Sequence, residues 1–130
     1  MSDEMDPIAE FWRISIDATQ RVSKTFNASD VMPYGKQIIQ LVELHPEKRQ
    51  GFVDAFIEGA GSPETCDRWL IEFCMHALRI PEAKLEFERL SREAIAQNNW
   101  NKIQPLQHIL DAFEDTWEDA DDIYADYFRR

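Results

Sequence analysis

The stretch Trp69–Leu78, WLIEFCMHAL, is the most apolar run of the sequence, and only Glu72 and His76 interrupt it. Apolar pairs recur in it every four residues, which is the spacing of one face of an α-helix. We therefore predict a central helix over about residues 63–79, with the other elements packed around it. The pairs are Trp69 and Leu70, Phe73 and Cys74, and Ala77 and Leu78.

Helix start and stop signals surround this stretch on both sides. Asp6-Pro7, His45-Pro46-Glu47, Ser62-Pro63-Glu64 and Ile80-Pro81-Glu82 each place a proline where a helix begins, and Gly59-Ala60-Gly61 ends one. The predicted helices cover about residues 7–24, 34–44, 46–58, 63–79 and 81–97, and a last helix follows from about 102.

Strand signals are nearly absent, because there is no Asn-Gly or Asp-Gly turn and no sustained two-residue alternation. We predict an all-α fold of six to seven helices packed as antiparallel pairs, in a single domain over residues 1–130. An irregular bundle and a HEAT-like stack of helix pairs fit this pattern equally well. A weak internal sequence similarity at an offset of 35 residues does not distinguish the bundle from the stack.

The chain has 130 residues, 44% of them hydrophobic and 12% aromatic, so it can build a core. Its formal net charge of −11 argues against a nucleic-acid binder and against binding to anionic membranes. The N-terminus lacks the apolar region of a signal peptide, and no apolar run is long enough to span a membrane. These features predict a cytoplasmic protein.

Most of the negative charge lies near the C-terminus. Residues 109–128 contain eight acids and no Lys or Arg. We predict one helix over Pro105–Phe128, because its apolar residues alternate at spacings of four and three and so form one stripe. A break at Thr116 is the alternative, since Thr116-Trp-Glu-Asp119 resembles a helix start. The stripe comprises Leu106, Leu110, Phe113, Trp117, Ala120, Tyr124 and Tyr127.

The acids opposite this stripe are our candidate partner-binding residues. Like charges four residues apart weaken a helix, and acids at its C-terminal end oppose its dipole, so this face is locally unfavourable. A surface that keeps these acids can attract and orient a basic partner, or it can serve only solubility. The candidates are Asp111, Glu114, Asp115, Glu118, Asp119 and Asp122.

No catalytic or metal-binding motif is present. The sequence contains no HExxH, Walker loop, Rossmann glycine pattern or G-x-S-x-G. Asp119-Ala-Asp-Asp122 lacks the glycine and the terminal glutamate of an EF-hand loop. We therefore predict no enzyme activity, no catalytic residues, no metal site and no cofactor.

Four residues outside the acidic region invite an interpretation. Cys66 and Cys74 are predicted to be reduced core residues, because eight residues of helix would separate them by about 12 Å. His76 is predicted to be a hydrogen-bonded residue in or beside the core. Trp100 is interpreted as an anchor that covers the core between two helices, with an interface residue as the alternative.

Two stretches carry a resemblance to known proteins. Leu70–Arg79, LIEFCMHALR, with Pro81-Glu82, and Leu110–Ala120, LDAFEDTWEDA, resemble a group of short, acidic, uncharacterised bacterial helical proteins. In size, acidity and helicity the chain is also similar to immunity proteins of bacterial toxin systems. The resemblance covers the second half of the chain and implies no functional residues.

These observations lead to two hypotheses of function. In the first, a non-catalytic module presents its acidic C-terminal helix to a basic protein partner, as an immunity-type inhibitor of a toxin does. In the second, a helical-repeat scaffold binds through a groove lined by aromatic residues. If the chain self-associates, a twofold-symmetric homodimer is the default expectation.

Overall fold

The computed structural model describes residues 6–128, which form eight α-helices and contain no β-strand. The all-α prediction is therefore confirmed. Six helices have 11 residues or more, and two short ones follow them at the C-terminus. The helices are α1 (Pro7–Thr25), α2 (Met32–Leu44), α3 (Arg49–Ala60), α4 (Arg68–Leu78), α5 (Pro81–Ala96), α6 (Trp100–Asp111), α7 (Asp119–Asp122) and α8 (Ala125–Phe128).

Two further segments, Ala28–Val31 and Pro46–Lys48, are 3-10 turns that lead into α2 and α3. The third helix therefore begins at Arg49 and not at Pro46 as predicted. No helix among residues 6–128 is both long and apolar enough to cross a membrane.

The central helix begins later than predicted. Residues 63–66 form a turn in which the carbonyl of Ser62 accepts from the backbone N–H groups of Thr65 and Cys66, each at 2.9 Å. The helix starts at Arg68 instead, because the extended Asp67 caps it and accepts from the N–H of Trp69 at 2.8 Å. The Thr19 hydroxyl accepts from the N–H of Asp67 at 2.8 Å, so α1 fixes this start.

The prediction of one helix over Pro105–Phe128 is wrong. The helix ends at Asp111, and residues 112–118 follow an irregular path with backbone bonds that span three residues, such as Glu114 N–H to Asp111 O at 3.0 Å. Thr116, the alternative break, lies inside this irregular stretch. The repulsion between acids four residues apart disfavours a continuous helix here, and the turn carries Trp117 into the core.

The position of α4 at the centre of the molecule agrees with its apolar sequence. Leu70, Ile71, Phe73, Cys74 and Met75 are all 0% exposed, and α2, α3 and α6 pack against the helix. Full burial of such side chains contributes roughly 1.5–3 kcal/mol each to stability.

The six longer helices pack as successive pairs, α1 on α2, α3 on α4 and α5 on α6, and neighbouring pairs also contact each other, α2 with α4 and α4 with α6. This pattern fits a HEAT-like stack of helix pairs as well as an irregular bundle. The chain also returns on itself, because the Tyr124 hydroxyl donates to the carbonyl of Ala28 at 3.5 Å. The C-terminal region therefore closes the bundle against its N-terminal half.

Trp100 does not anchor the core. It is the first residue of α6 and is 74% exposed, so the interpretation as a cover over the core is wrong. Its alternative role at an interface stays a prediction.

Candidate functional site

The candidate site is the stretch from Asp111 to Asp122, which we call the acidic segment. It comprises the last residue of α6, the irregular residues 112–118, and α7. Seven of its residues are acids, and it contains no Lys or Arg. The charge that the sequence assigned to one helix face is therefore presented by a turn and a short helix.

Aromatic side chains hold the acidic segment against the bundle. Phe113 and Trp117 are buried within it, and Tyr124 is buried directly after it. The Trp117 ring lies 5.0 Å from the imidazole of His76, and the Tyr124 ring lies 5.0 Å from Phe73, measured between centroids. Most of the predicted apolar stripe is thus buried although the helix that defined it is broken.

The six candidate acids do not share one helix face. Asp111, Glu114, Asp115, Glu118 and Asp122 are exposed, and Asp119 is half-buried. They point to solvent from a fixed support, because the buried aromatic residues alternate with them along the chain. The arrangement can present carboxylates to a partner with little loss of backbone freedom on binding.

One candidate acid has a cationic partner that the sequence did not reveal. Asp115 accepts from Nη1 of Arg79 at 2.5 Å, and this bond lowers the pKa of Asp115. Arg79 lies at the C-terminal end of α4, 36 residues away in the chain, so no local spacing rule connects the two. The sequence predicted that Arg79 lies at the end of the central helix, just before the turn at Ile80-Pro81, but not that it contacts Asp115.

Four other candidates, Asp111, Glu114, Glu118 and Asp122, form no ion pair with residues 6–128. All four carboxylates are exposed, so a cationic partner can reach them. The terminal residues Arg129 and Arg130 lie outside the described residues.

Beneath the acidic segment lies a buried carboxyl group, Glu72 of α4, which is 3% exposed. Arg68, one turn earlier, donates from Nε to it at 2.7 Å. Burial raises the pKa of Glu72 to about 7, against the opposing effect of Arg68, and the charges of Asp119 and Asp67 raise it further. The interruption of the apolar run by Glu72 was the only sequence signal of this site.

His76, the second interruption of the apolar run, is confirmed as a hydrogen-bonded residue beside the core. It is 8% exposed, and its Nδ1 lies 2.7 Å from the carbonyl oxygen of Ala112. It therefore joins α4 to the first residue of the irregular stretch.

The cysteines are both free and buried. Cys66 lies before α4 and not within it, so the two do not share a helix as predicted. Burial raises the pKa of Cys66 to about 12, and that of Cys74 well above its ordinary value. Such thiols are poor nucleophiles at neutral pH.

A cleft of about 530 Å³ lies on another part of the surface, between α3, α4, α5 and α6. Its walls are largely aliphatic, including Ile57, Ile71, Leu90 and Leu106, and Lys102 and Glu58 also line it. No aromatic residue lines this cleft, so it differs from the aromatic groove of the second hypothesis.

Within residues 6–128, no three His, Cys, Asp or Glu side chains are grouped so that they could hold a metal ion. No protein-family model matches the chain, and comparisons with curated proteins and with solved structures found no match.

Proposed function

We propose that the chain is a non-catalytic, cytoplasmic protein-binding module whose acidic segment binds a basic protein partner. An immunity-type inhibitor of a bacterial toxin is one protein of this kind. The observation that supports the proposal is the fixed display of exposed carboxylates on a segment anchored by buried aromatic residues. The proposal includes neither nucleic acid nor a membrane among the partners.

The distribution of charge supports a cationic partner. Glu114, Glu118 and Asp122 have no ion-pair partner among the described residues, while most arginines elsewhere in the chain are already paired. A local excess of one sign speeds encounter with a partner of the opposite sign and orients it on approach.

The anchoring of the segment supports binding rather than solubility alone. Solubility requires only that acids face water, and a flexible tail meets that requirement. Here Phe113, Trp117 and Tyr124 are 6%, 8% and 1% exposed, so the acids between them are held in place. Preorganisation of this kind reduces the entropy lost on binding.

The test compares the wild-type chain with two triple variants. In the first, Glu114→Gln, Glu118→Gln and Asp122→Asn neutralise the acidic segment. In the second, Glu43→Gln, Asp54→Asn and Glu64→Gln remove the same charge from exposed positions on α2, α3 and the loop before α4. Each protein is cross-linked in an extract of the source cells, and the captured protein is then purified.

Affinity for the purified partner is measured by calorimetry at low and at physiological salt. We expect a basic partner, about tenfold weaker binding by the first variant, and binding by the second variant within about twofold of wild type. Binding should also weaken with salt, since exposed charges are screened over about 8–10 Å. Equal binding by both variants, or a captured partner without excess positive charge, would refute the proposal.

A second candidate function is that of a scaffold or adaptor that binds through the aliphatic cleft. The cleft volume lies within the range of sites that take a small molecule or a few partner side chains. Ala60→Trp should fill the cleft, because Ala60 lines it and is half-buried. If that variant loses the captured partner while the neutralised acidic segment keeps it, the adaptor function is favoured.

A further inference from the structure

His76 lies where α4 meets the C-terminal region. Its imidazole packs between two aromatic rings, with centroid distances of 5.0 Å to Trp117 and 4.7 Å to Phe128. The ring is therefore largely withdrawn from water, and its hydrogen bonds are made within the protein.

These bonds fix the protonation state of the ring. Nδ1 lies 2.7 Å from the carbonyl oxygen of Ala112, which can only accept, so Nδ1 carries the proton. Nη2 of Arg79 lies 3.2 Å from Nε2 and 3.3 Å from Nδ1, so the guanidinium lies against the imidazole ring and not on one nitrogen alone. Because Nη2 can only donate, the neutral Nδ1–H tautomer avoids a second proton beside the guanidinium.

Arg79 extends this network to the acidic segment. Its Nε donates to the backbone carbonyl of His76 at 2.8 Å, and its Nη1 donates to Asp115 at 2.5 Å. The irregular stretch is thus attached to the end of α4 at two points, Ala112 and Asp115. Both attachments depend on the same histidine–arginine pair.

We propose that His76, Arg79, Asp115 and the Ala112 carbonyl form an acid-sensitive latch, in which protonation of His76 releases the acidic segment from α4. A proton on Nε2 would face the donor Nη2 of Arg79. It would also place a second positive charge beside the guanidinium. The contact between Nε2 and Nη2 would then be repulsive.

The surroundings of His76 disfavour its protonation, as the latch requires. Burial and the nearby Arg79 guanidinium lower the pKa of His76, while its bond to Ala112 and the charge of Asp115 oppose them. No ion pair joins His76 to a carboxylate among residues 6–128. Its other close neighbours are the rings of Trp117 and Phe128.

The direction of the pH effect on the latch follows from the lowered pKa of His76. The docked state prefers neutral His76, and the released state has the ordinary histidine pKa of about 6.5, so acid favours release. The latch should be closed at pH 7.5 and should open as the pH falls below the ordinary histidine pKa of about 6.5. Any effect on partner binding rests on the proposed function, whereas the opening itself is a property of the chain alone.

The test is amide hydrogen exchange on the full chain at pH 7.5 and pH 5.0, with each rate corrected for the intrinsic effect of pH. We expect the protection of the Phe113, Glu114 and Trp117 amides to fall about tenfold or more at pH 5.0, relative to amides of α1. His76→Asn keeps a donor near Ala112 but cannot be protonated, so its protection should not change with pH. His108→Asn removes an exposed histidine of α6 and should keep the wild-type response.

If His76→Asn does not fold, a second measurement tests the latch. The ring protons of His76 are followed by NMR in the wild-type chain, together with the amides of residues 112–118. The latch requires that the midpoint of His76 protonation coincide with the loss of amide protection. Protonation of His76 with unchanged protection, or a loss of protection that persists in a folded His76→Asn, would overturn it.

Discussion

At the scale of single residues, Glu72 is a carboxyl group buried in the core at 3% exposure. Its one cationic partner, Arg68, is offset by burial and by the neighbouring charges of Asp119 and Asp67, which together raise its pKa to about 7. A carboxyl with a raised pKa binds its proton more tightly in the folded state than in the unfolded state. Its contribution therefore favours folding at low pH and is lost as the pH rises from about 4.5 through 7.

Replacement of Glu72 by Gln should therefore stabilise the chain more at pH 8 than at pH 5. The shift in pKa corresponds to a gain that grows by about 2 kcal/mol between these values, or roughly 7 °C in melting temperature. Arg68 keeps an acceptor in the Gln side chain, and its own side chain is 39% exposed, so water can solvate its charge. Thermal unfolding followed by circular dichroism at the two pH values measures the difference.

Glu64→Gln is the control, because Glu64 is exposed. Its melting temperature should differ from that of wild type by a similar small amount at both pH values. A gain for Glu72→Gln that is equal at pH 5 and pH 8 would show that Glu72 is ionised throughout this range.

The two polar interruptions of the apolar run differ in what the sequence could predict about them. The environment of His76 as a hydrogen-bonded residue was predictable, since a polar side chain in an apolar helix needs a partner. The partner of His76 was not, because Ala112 belongs to the C-terminal region, as does Asp119, the acid whose charge raises the pKa of Glu72. Their approach to α4 depends on the break after Asp111, which the apolar periodicity hid.

At the scale of secondary structure elements, two residues with the side chain of an N-cap, Ser62 and Asp67, compete for the start of α4. Ser62-Pro63-Glu64 has the composition of a helix start, but the Ser62 carbonyl closes a turn instead. Asp67 provides the cap because Thr19 of α1 accepts from its backbone N–H and fixes its position. This tertiary contact spans 48 residues, so local sequence rules cannot contain it.

Loss of the Asp67 cap should therefore cost more than loss of the Ser62 hydroxyl. Asp67→Ala is expected to lower the free energy of unfolding by about 1 kcal/mol, whereas Asp67→Asn keeps an acceptor for the N–H of Trp69 and should cost less. Ser62→Ala should change stability by less than about 0.5 kcal/mol. Urea unfolding of the three variants provides the comparison, and a larger loss for Ser62→Ala would contradict the cap assignment.

The contact between α2 and α4 depends on the missing side chain of Gly35. A Cβ atom there would overlap the ring of Phe73, which also packs against Tyr124, Tyr127 and Phe128. The glycine thus allows α2 to approach α4 closely and keeps the Phe73 ring in place beneath the C-terminal helices.

Gly35→Ala should destabilise the chain by about 1–2 kcal/mol, because overpacking outweighs the better helix propensity of alanine. Gly61→Ala is the matched control. A Cβ atom on Gly61 would meet only the Glu58 carbonyl, at an ordinary 3.6 Å, and should be neutral or slightly stabilising. Chemical denaturation distinguishes the two, and a neutral Gly35→Ala would show that Phe73 can move at little cost.

At the scale of the whole molecule, the sequence predicted the helix content and the central helix but not the closure of the bundle. This closure depends on contacts between distant parts of the chain. Ser15 of α1 donates to the Thr65 carbonyl at 2.7 Å, and Tyr124 reaches Ala28. Hydrophobic periodicity describes each helix separately, so it carries no record of such contacts.

These contacts predict that the chain unfolds as one unit. In a helix stack the ends unfold separately from the middle, because each unit touches only its neighbours. In this bundle the C-terminal region packs on α4 and on the turn after α1, so loss of either end removes contacts from the other. A single cooperative transition in urea is therefore expected, with a slope of about 1–3 kcal/mol per M.

Two variants with one tryptophan each test this cooperativity. In the first, only Trp12 of α1 remains, and in the second only Trp117 of the acidic segment, with phenylalanine at the other three positions. At pH 7.5, where the latch is closed, the two fluorescence transitions and the circular dichroism of each variant should share one midpoint within about 0.3 M urea. In the variant that keeps Trp117, the fluorescence could instead change at a lower urea concentration than the circular dichroism, with no such difference in the variant that keeps Trp12. That result would show that the acidic segment leaves the bundle before the core unfolds, because only local release separates a probe from the loss of helix.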